Sequence, residues 1–211
     1  MYPKKHVILF IFLTFLIAST AAHSVQEQKS VLTPDNANEA RLNRLQPPEQ
    51  VMDAIGVVSG MVVAEIGAGR GRYVVQLAVR VGESGKVYAE DIDAKALRYL
   101  EKRCDRWGLE NVETILGEVT NPKLPEGKLD LIFIISAYHH FADPVALLRN
   151  ARSALKPDGK LAIGEWLGRG GTPPKKLESQ MNAAGYKLER IETFLKANNM
   201  YIYVFCINDT Q

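Results

Sequence analysis

Apolar positions along this chain follow two periods, and the two periods alternate. From residue 61 onward, short apolar runs take turns with stretches whose apolar residues fall three and four apart. Residues 61–66, 86–91, 112–116, 129–135 and 160–166 are predicted strands, and 72–81, 93–107 and 144–155 predicted helices. In 72–81 the apolar set is Val74, Val75, Leu77, Ala78 and Val81, which is one face of a helix. Leu129-Asp130-Leu131-Ile132-Phe133-Ile134-Ile135 is the most apolar run past the N-terminal segment and is expected at the centre of the sheet. Asp93 and Asp143 stand where a cap should accept the first free N–H groups, and Pro144 suits a first helical turn. Pro157-Asp158-Gly159 is an expected turn, and Gly185 stops a helix at 173–184. Two closing strands, 186–195 and 200–207, are joined by a turn at 197–199 and should pair antiparallel.

Strand–helix alternation of this kind implies parallel strands with helices on both faces. The fold class is therefore α/β: a Rossmann-like, doubly wound, seven-stranded sheet, mostly parallel, with one antiparallel strand near the C-terminal edge. Ahead of it, 41–45 is a short predicted helix, and Pro47-Pro48 opens a second at 49–55. Residues 25–38 are polar and read as a linker. The expected division is a leader at 1–22, a linker and N-terminal lid at 23–46, and the α/β domain at 47–211.

The first 22 residues change the picture most. Lys4 and Lys5 precede an apolar run at 7–18, and Ser19-Thr20-Ala21-Ala22 supplies small residues suited to cleavage. This is the pattern of an export signal, so the expected location is periplasmic or secreted. If the segment is uncleaved it becomes a membrane anchor, the one expected link to a membrane. Those two lysines account for the whole formal net charge of +2. With no Lys/Arg stripe elsewhere, nucleic acid is not an expected partner. Cys104 and Cys206 lie far from each other in sequence and have no His in ligand spacing, so separate thiols and no metal are expected. The oligomeric state is not legible.

The turn after the first strand is Gly67-Ala68-Gly69-Arg70-Gly71, where glycines can take positive φ and let a ligand approach the backbone. The helix that follows should offer unpaired N–H groups and a positive dipole end to a carboxylate. A dinucleotide fingerprint would place its third glycine at Arg72, and here Gly71 arrives one residue early. The second strand ends Glu90-Asp91, where an acid can accept both hydroxyls of a ribose. Alternation places Asp91 with Val87 and Ala89, and Asp93 serves as helix cap, so Asp91 is favoured over Glu90 for the sugar. Glu118, after the third strand, can reach an adenine amine, or it is a plain loop acid.

These motifs, in this order, resemble the class I S-adenosylmethionine-dependent methyltransferases, and the resemblance runs from about Pro47 to Ile207. Glu65 to Gly71 is similar to the family's acid-x-Gly-x-Gly-x-Gly motif, and Val87-Tyr88-Ala89-Glu90-Asp91-Ile92-Asp93 to its ribose strand. Leu129-Asp130-Leu131-Ile132 and Leu155-Lys156-Pro157-Asp158-Gly159-Lys160-Leu161 look like its fourth and fifth strand motifs. The most similar branch is that of ubiquinone/menaquinone biosynthesis. Departures are Glu65 and Glu118 in place of Asp, and Asp158 in place of Gly. The resemblance implies S-adenosyl-L-methionine as cofactor, a small-molecule methyl acceptor, and cofactor contacts from Glu65, Gly67, Ala68, Gly69, Gly71, Asp91, Ile92 and Glu118.

Past the fourth strand come Ser136-Ala137-Tyr138-His139-His140-Phe141, at the sheet edge where the transferable methyl should sit. His139 and His140 are candidate proton acceptors and Tyr138 a candidate pocket wall. The competing role for the histidine is to brace the following helix. Glu165 and Trp166 end the fifth strand at the same edge, Trp166 as core or as wall. A methyl on a cationic sulfur is already electrophilic, so the family's catalysis is largely orientation of the acceptor.

Overall fold

The computed structural model describes residues 32–168 and 170–208, so the expected leader lies outside the described residues. Strands β1 (Val62–Ile66), β2 (Lys86–Asp91), β3 (Val112–Leu116), β4 (Leu129–Ile135), β5 (Leu155–Trp166), β6 (Tyr186–Glu192) and β7 (Met200–Ile207) form one sheet in the order β3-β2-β1-β4-β5-β7-β6. All neighbours pair parallel except around β7, which runs antiparallel to both β5 and β6. The expected single antiparallel strand is thus β7, inserted inside the edge strand. The chain order reverses between β1 and β4, the switch point at which α/β sheets open a crevice at their carboxyl ends.

Two apolar layers cover the sheet. Helices α2 (Pro48–Ala54), α3 (Val74–Val81) and α4 (Ala94–Trp107) build one with Val63, Val87, Leu131 and Phe133. Helices α5 (Pro144–Ala151) and α6 (Pro174–Ala183) build the other with Ala64, Ile132, Ile134 and Leu161. β4 is buried along almost its whole length because both layers close over it. Asp93 and Asp143 cap α4 and α5, accepting from the N–H groups of Lys95 and Ala146.

Three expectations are corrected. The helix predicted through residue 155 ends at Ala151, followed by a single 3₁₀ turn at Arg152–Ala154. The expected Pro157-Asp158-Gly159 turn is absorbed into β5, whose register on β4 jumps from Leu129↔Leu155 to Leu131↔Lys160. The insertion is anchored by Lys156, whose Nζ lies 2.5 Å from Asp130 Oδ1, while Asp130 Oδ2 accepts from the Val62 N–H at 2.8 Å. Finally, the segment read as a linker is packed from Leu32 onward. Gln76 grips the Leu32 backbone at both ends, accepting from its N–H (2.8 Å) and donating to its carbonyl (3.2 Å).

Helix α1 (Ala37–Leu45) starts four residues earlier than its apolar pattern suggests, capped by Asn36. Its buried anchor is charged: Glu39 accepts from Arg103 of α4 at 2.5 and 3.1 Å, and Arg103 is fully buried. Arg103 also donates to the carbonyl of Arg70 at 3.3 Å, which ties α1 and α4 to the glycine turn. Cys104 and Cys206 are free thiols. No helix among the described residues is long and apolar enough to cross a membrane.

Removing one partner of a buried ion pair leaves the other charge stranded. Glu39→Gln should therefore destabilise the protein by about 3–5 kcal/mol, whereas Glu39→Met with Arg103→Met should recover most of that loss. Urea denaturation midpoints measure both; an unchanged midpoint in Glu39→Gln would show that the pair does not anchor α1.

Candidate functional site

The glycine turn sits at the β1/β4 switch point and is held to the end of β2 by backbone hydrogen bonds. The N–H groups of Gly67 and Ala68 both donate to the Glu90 carbonyl at 2.9 Å. The Gly69 N–H donates to Asp91 Oδ2 at 2.7 Å, and Asp91 Oδ1 accepts from the Asp93 N–H at 2.8 Å. The first N–H groups of the turn are therefore paired within the protein. Helix α3 begins only at Val74, later than predicted, and the Val74 N–H favours the ionised form of the Glu65 carboxyl.

All three glycines of the turn have positive φ, and two of them face opposite kinds of surroundings. A side chain at Gly71 would stand 2.2 Å from Leu100 Cδ1, so the turn can approach α4 only through a glycine. At Gly69 an added Cβ would meet nothing within 4 Å, so that face of the turn opens on free space. Residue 72, where a dinucleotide fingerprint would need its glycine, carries instead a guanidinium lying 4.4 Å over the Tyr73 ring. Arg72 donates to Asn43 Oδ1 at 3.2 Å and to Gln46 Oε1.

Asp91 is partly exposed beside the turn, whereas Glu90 is buried, its carboxyl pressed where a Cβ on Gly117 would be. Ile92, Leu116 and Val119 are exposed apolar side chains at the carboxyl ends of β2 and β3. Glu118 is also exposed, and its Oε1 lies 2.7 Å from Lys123 Nζ. Ala68 is buried within the turn.

After β4 the chain makes a 3₁₀ turn at Tyr138–His140. Tyr138 does not wall a pocket: its ring is buried in the α5/α6 layer and its hydroxyl donates to Gln180 Oε1 at 3.1 Å. Burial raises the phenol above its usual value, with the Glu165 charge adding to the effect. His139 stays partly accessible, with Nδ1 2.9 Å from Glu165 Oε1. His140 is exposed and its ring lies 4.1 Å from that of His139. Trp166 packs on the α2/α3 layer and also lines a cavity of about 430 Å³ with Arg41, Leu45, Leu167, Asn198 and Asn199.

Two residues at this edge carry no signal in the sequence. Gln46 is fully buried, donates to Ser136 Oγ at 3.0 Å and accepts the Tyr73 hydroxyl on its carbonyl at 2.8 Å. Ser136 itself holds φ 54 at the end of β4, an uncommon conformation for a non-glycine residue. A polar residue before two prolines gave no reason to place Gln46 ninety positions away in space.

The sequence profile of a family described as a methyltransferase domain matches residues 58–201. The chain belongs to the class I S-adenosylmethionine-dependent methyltransferases. It is 27% identical over 117 residues to a demethylmenaquinone methyltransferase of Geobacillus sp., covering 56% of this chain and 50% of that one. It is 27% identical over 128 residues to a nocamycin O-methyltransferase of Saccharothrix syringae, covering 61% and 44%. Among solved structures, a methyltransferase from Aquifex aeolicus superposes with a TM-score of 0.71 at 28% identity, covering 83% of this chain and 99% of that one. The chain spans a third to a half of the length of the curated relatives it matches. The family's cofactor is S-adenosylmethionine.

Two buried acids flank the turn. Burial pushes Glu65 and Glu90 from 4.5 up to about 8; Arg72 and the Val74 N–H oppose this at Glu65 and the Gly67 N–H at Glu90, while Asp91 adds to it at both. Between pH 4.5 and about 8 the folded protein holds protons that the unfolded chain has released, so stability falls as pH rises through that window. The melting temperature should therefore decline from pH 5 to pH 8, and Glu65→Gln and Glu90→Gln should each flatten the slope. A rising profile in the unsubstituted protein would contradict the assignment.

Proposed function

We propose that this protein transfers a methyl group from S-adenosylmethionine to a small-molecule acceptor. The observation that carries the proposal is the Gly69–Asp91 clamp with free space on its outer face. Each Asp91 carboxylate oxygen accepts one backbone N–H and keeps a further lone pair, which together suit the two hydroxyls of a ribose. Ile92, Leu116 and Val119 would cover the faces of an adenine with apolar surface otherwise left in water. Glu118 would reach the adenine amine by releasing Lys123, an exchange of one exposed ion pair that costs little. Glu65 lies buried beneath the turn, and one of its carboxyl oxygens has no hydrogen-bond partner.

The residues present fit the group. When bound, it supplies a methyl carbon made electrophilic by a sulfonium. The protein's part is then to orient the acceptor and exclude water at the ends of β4 and β5. Gln46 roofs this edge from the N-terminal segment, and the cavity beside Trp166 offers apolar walls with Arg41 at its rim. The names of the relatives support a small-molecule acceptor of this kind.

We also propose that residues 1–22 direct export, on the strength of their basic start, apolar run and small-residue end. That location favours a second reading, a binding module of the same fold without turnover, because S-adenosylmethionine is made in the cytoplasm. Cell fractionation tests the first point, and binding without transfer to any acceptor would favour the second reading.

Calorimetric titration should show binding of both S-adenosylmethionine and S-adenosylhomocysteine, and Asp91→Ala should weaken it by roughly tenfold or more, about 1.4 kcal/mol. No binding of either ligand would refute both readings, and unchanged affinity in Asp91→Ala would refute the ribose role. Gly69→Ala, strained by its positive φ but free of any clash, should lose affinity and lower the melting temperature less than Gly71→Ala, which also collides with Leu100. The reverse pattern would place the ligand elsewhere.

A further inference from the structure

We propose that Glu165 is a positioning residue that fixes His139 as the proton acceptor for a hydroxyl-bearing methyl acceptor. This rests on the methyl-transfer function proposed above and concerns the same edge of the sheet. Glu165 is buried to 1% exposure at the end of β5, and one of its oxygens, Oε2, is buried without a partner. Its other oxygen takes two contacts, the Trp166 N–H at 2.7 Å and His139 Nδ1 at 2.9 Å.

The donors decide the protonation pattern. The Trp166 N–H can only donate, so Oε1 is an acceptor, and the shared oxygen suits a carboxylate accepting from Nδ1–H as well. With the proton held on Nδ1, the lone pair of the neutral ring is at Nε2, which has no hydrogen-bond partner among the described residues. The loop carrying His139 is pinned beside Glu165, because the Ser136 N–H donates to the Gly164 carbonyl at 2.9 Å. The 3₁₀ turn is itself closed by His140 N–H to Ala137 O at 2.9 Å and Phe141 N–H to Tyr138 O at 3.1 Å.

A brace for the following helix would not need this arrangement. A serine or asparagine could hold a histidine without stranding a carboxylate oxygen in the interior, which costs free energy wherever it occurs. The neighbouring ionisable groups do not compete for the proton. Tyr138 is raised above the usual phenol value, and burial, helped by Glu178, Tyr201 and Glu165, pushes Tyr203 up to about 12. His140, ring against ring with His139, is solvated and has no buried carboxylate beside it.

The pair serves acceptors whose nucleophile carries a proton at neutral pH, such as a phenol or enol oxygen. His139 Nε2 takes the O–H proton while an oxygen lone pair forms the bond to the methyl carbon. The carbon–sulfur bond breaks, its electron pair returns to sulfur, and the sulfonium donor leaves as a neutral thioether. Glu165 offsets the imidazolium charge until His139 returns the proton to water. A thiolate acceptor would need none of this.

Two-bond proton–nitrogen NMR of ¹⁵N-histidine-labelled protein reads the tautomer directly, without cofactor. The unsubstituted protein should show His139 protonated on Nδ1, and Glu165→Ala should shift it to Nε2. Glu165→Gln, an isostere that preserves packing, should keep the Nδ1 tautomer. An Nε2–H tautomer in the unsubstituted protein, or an unchanged tautomer in Glu165→Ala, would overturn the proposal. With S-adenosylmethionine and 4-substituted phenols, both variants should lose roughly tenfold or more in kcat, with the cofactor KM unchanged and thiophenol turnover less affected. Equal losses on phenols and thiophenol, or no phenol turnover at all, would overturn the proton-accepting role. Calorimetry on the same samples separates this from failure of the methyl-transfer proposal: absent cofactor binding would refute that proposal and leave the tautomer result standing.

Discussion

The rest of the site depends on how the glycine turn is fastened to the end of β2. Three consecutive N–H groups of the turn are paired there, two on the Glu90 carbonyl and one on the Asp91 carboxylate. The turn therefore arrives as a fixed surface and not as a loop awaiting a ligand. Its close approach to α4 through Gly71 and the open face at Gly69 follow from the same geometry. Burial of Glu65 and Glu90 beneath it is the cost, and it appears as two carboxyls raised to about 8.

From that turn, polar interactions run outward to the N-terminal segment. Arg103 joins the Arg70 carbonyl to Glu39 of α1, and Arg72 joins the turn to Asn43 and Gln46. Gln46 in turn reaches Ser136 at the end of β4, the strand that leads to His139. Segments that flank the sheet are thus tied to its carboxyl edge by buried and partly buried hydrogen bonds, whereas the sheet itself is held by apolar layers on both faces. The division suits a binding crevice: apolar packing sets the frame, and directional bonds set the atoms around the opening.

How much of this was legible in the sequence depends on the kind of interaction. The strands and most helices were, because their buried faces are apolar and repeat at 2.0 or 3.6 residues. Helix α1 was only half legible, because the residue it buries is Glu39 and hydrophobic periodicity does not register a charge. Pro157-Asp158-Gly159 carries a turn signal, but β4 on one side keeps the segment within a strand as an irregularity of register. Alternation placed Asp91 and Glu90 on opposite faces of β2, and the structure leaves Asp91 partly exposed and buries Glu90. The contacts of Gln46 with Ser136 and of His139 with Glu165 were not legible, since they join residues 90 and 26 positions apart with no shared pattern. Tyr138 was misplaced because nothing in a three-residue turn tells which side chain faces the core.

The most direct test of the account is a crystal structure of the protein with S-adenosylhomocysteine. The ligand should lie at the β1/β4 switch point, with its ribose hydroxyls on the Asp91 carboxylate and the Gly69–Asp91 hydrogen bond intact. A ligand bound away from Gly69, or a turn that must break from Asp91 to admit it, would contradict the claim that this clamp is the binding site.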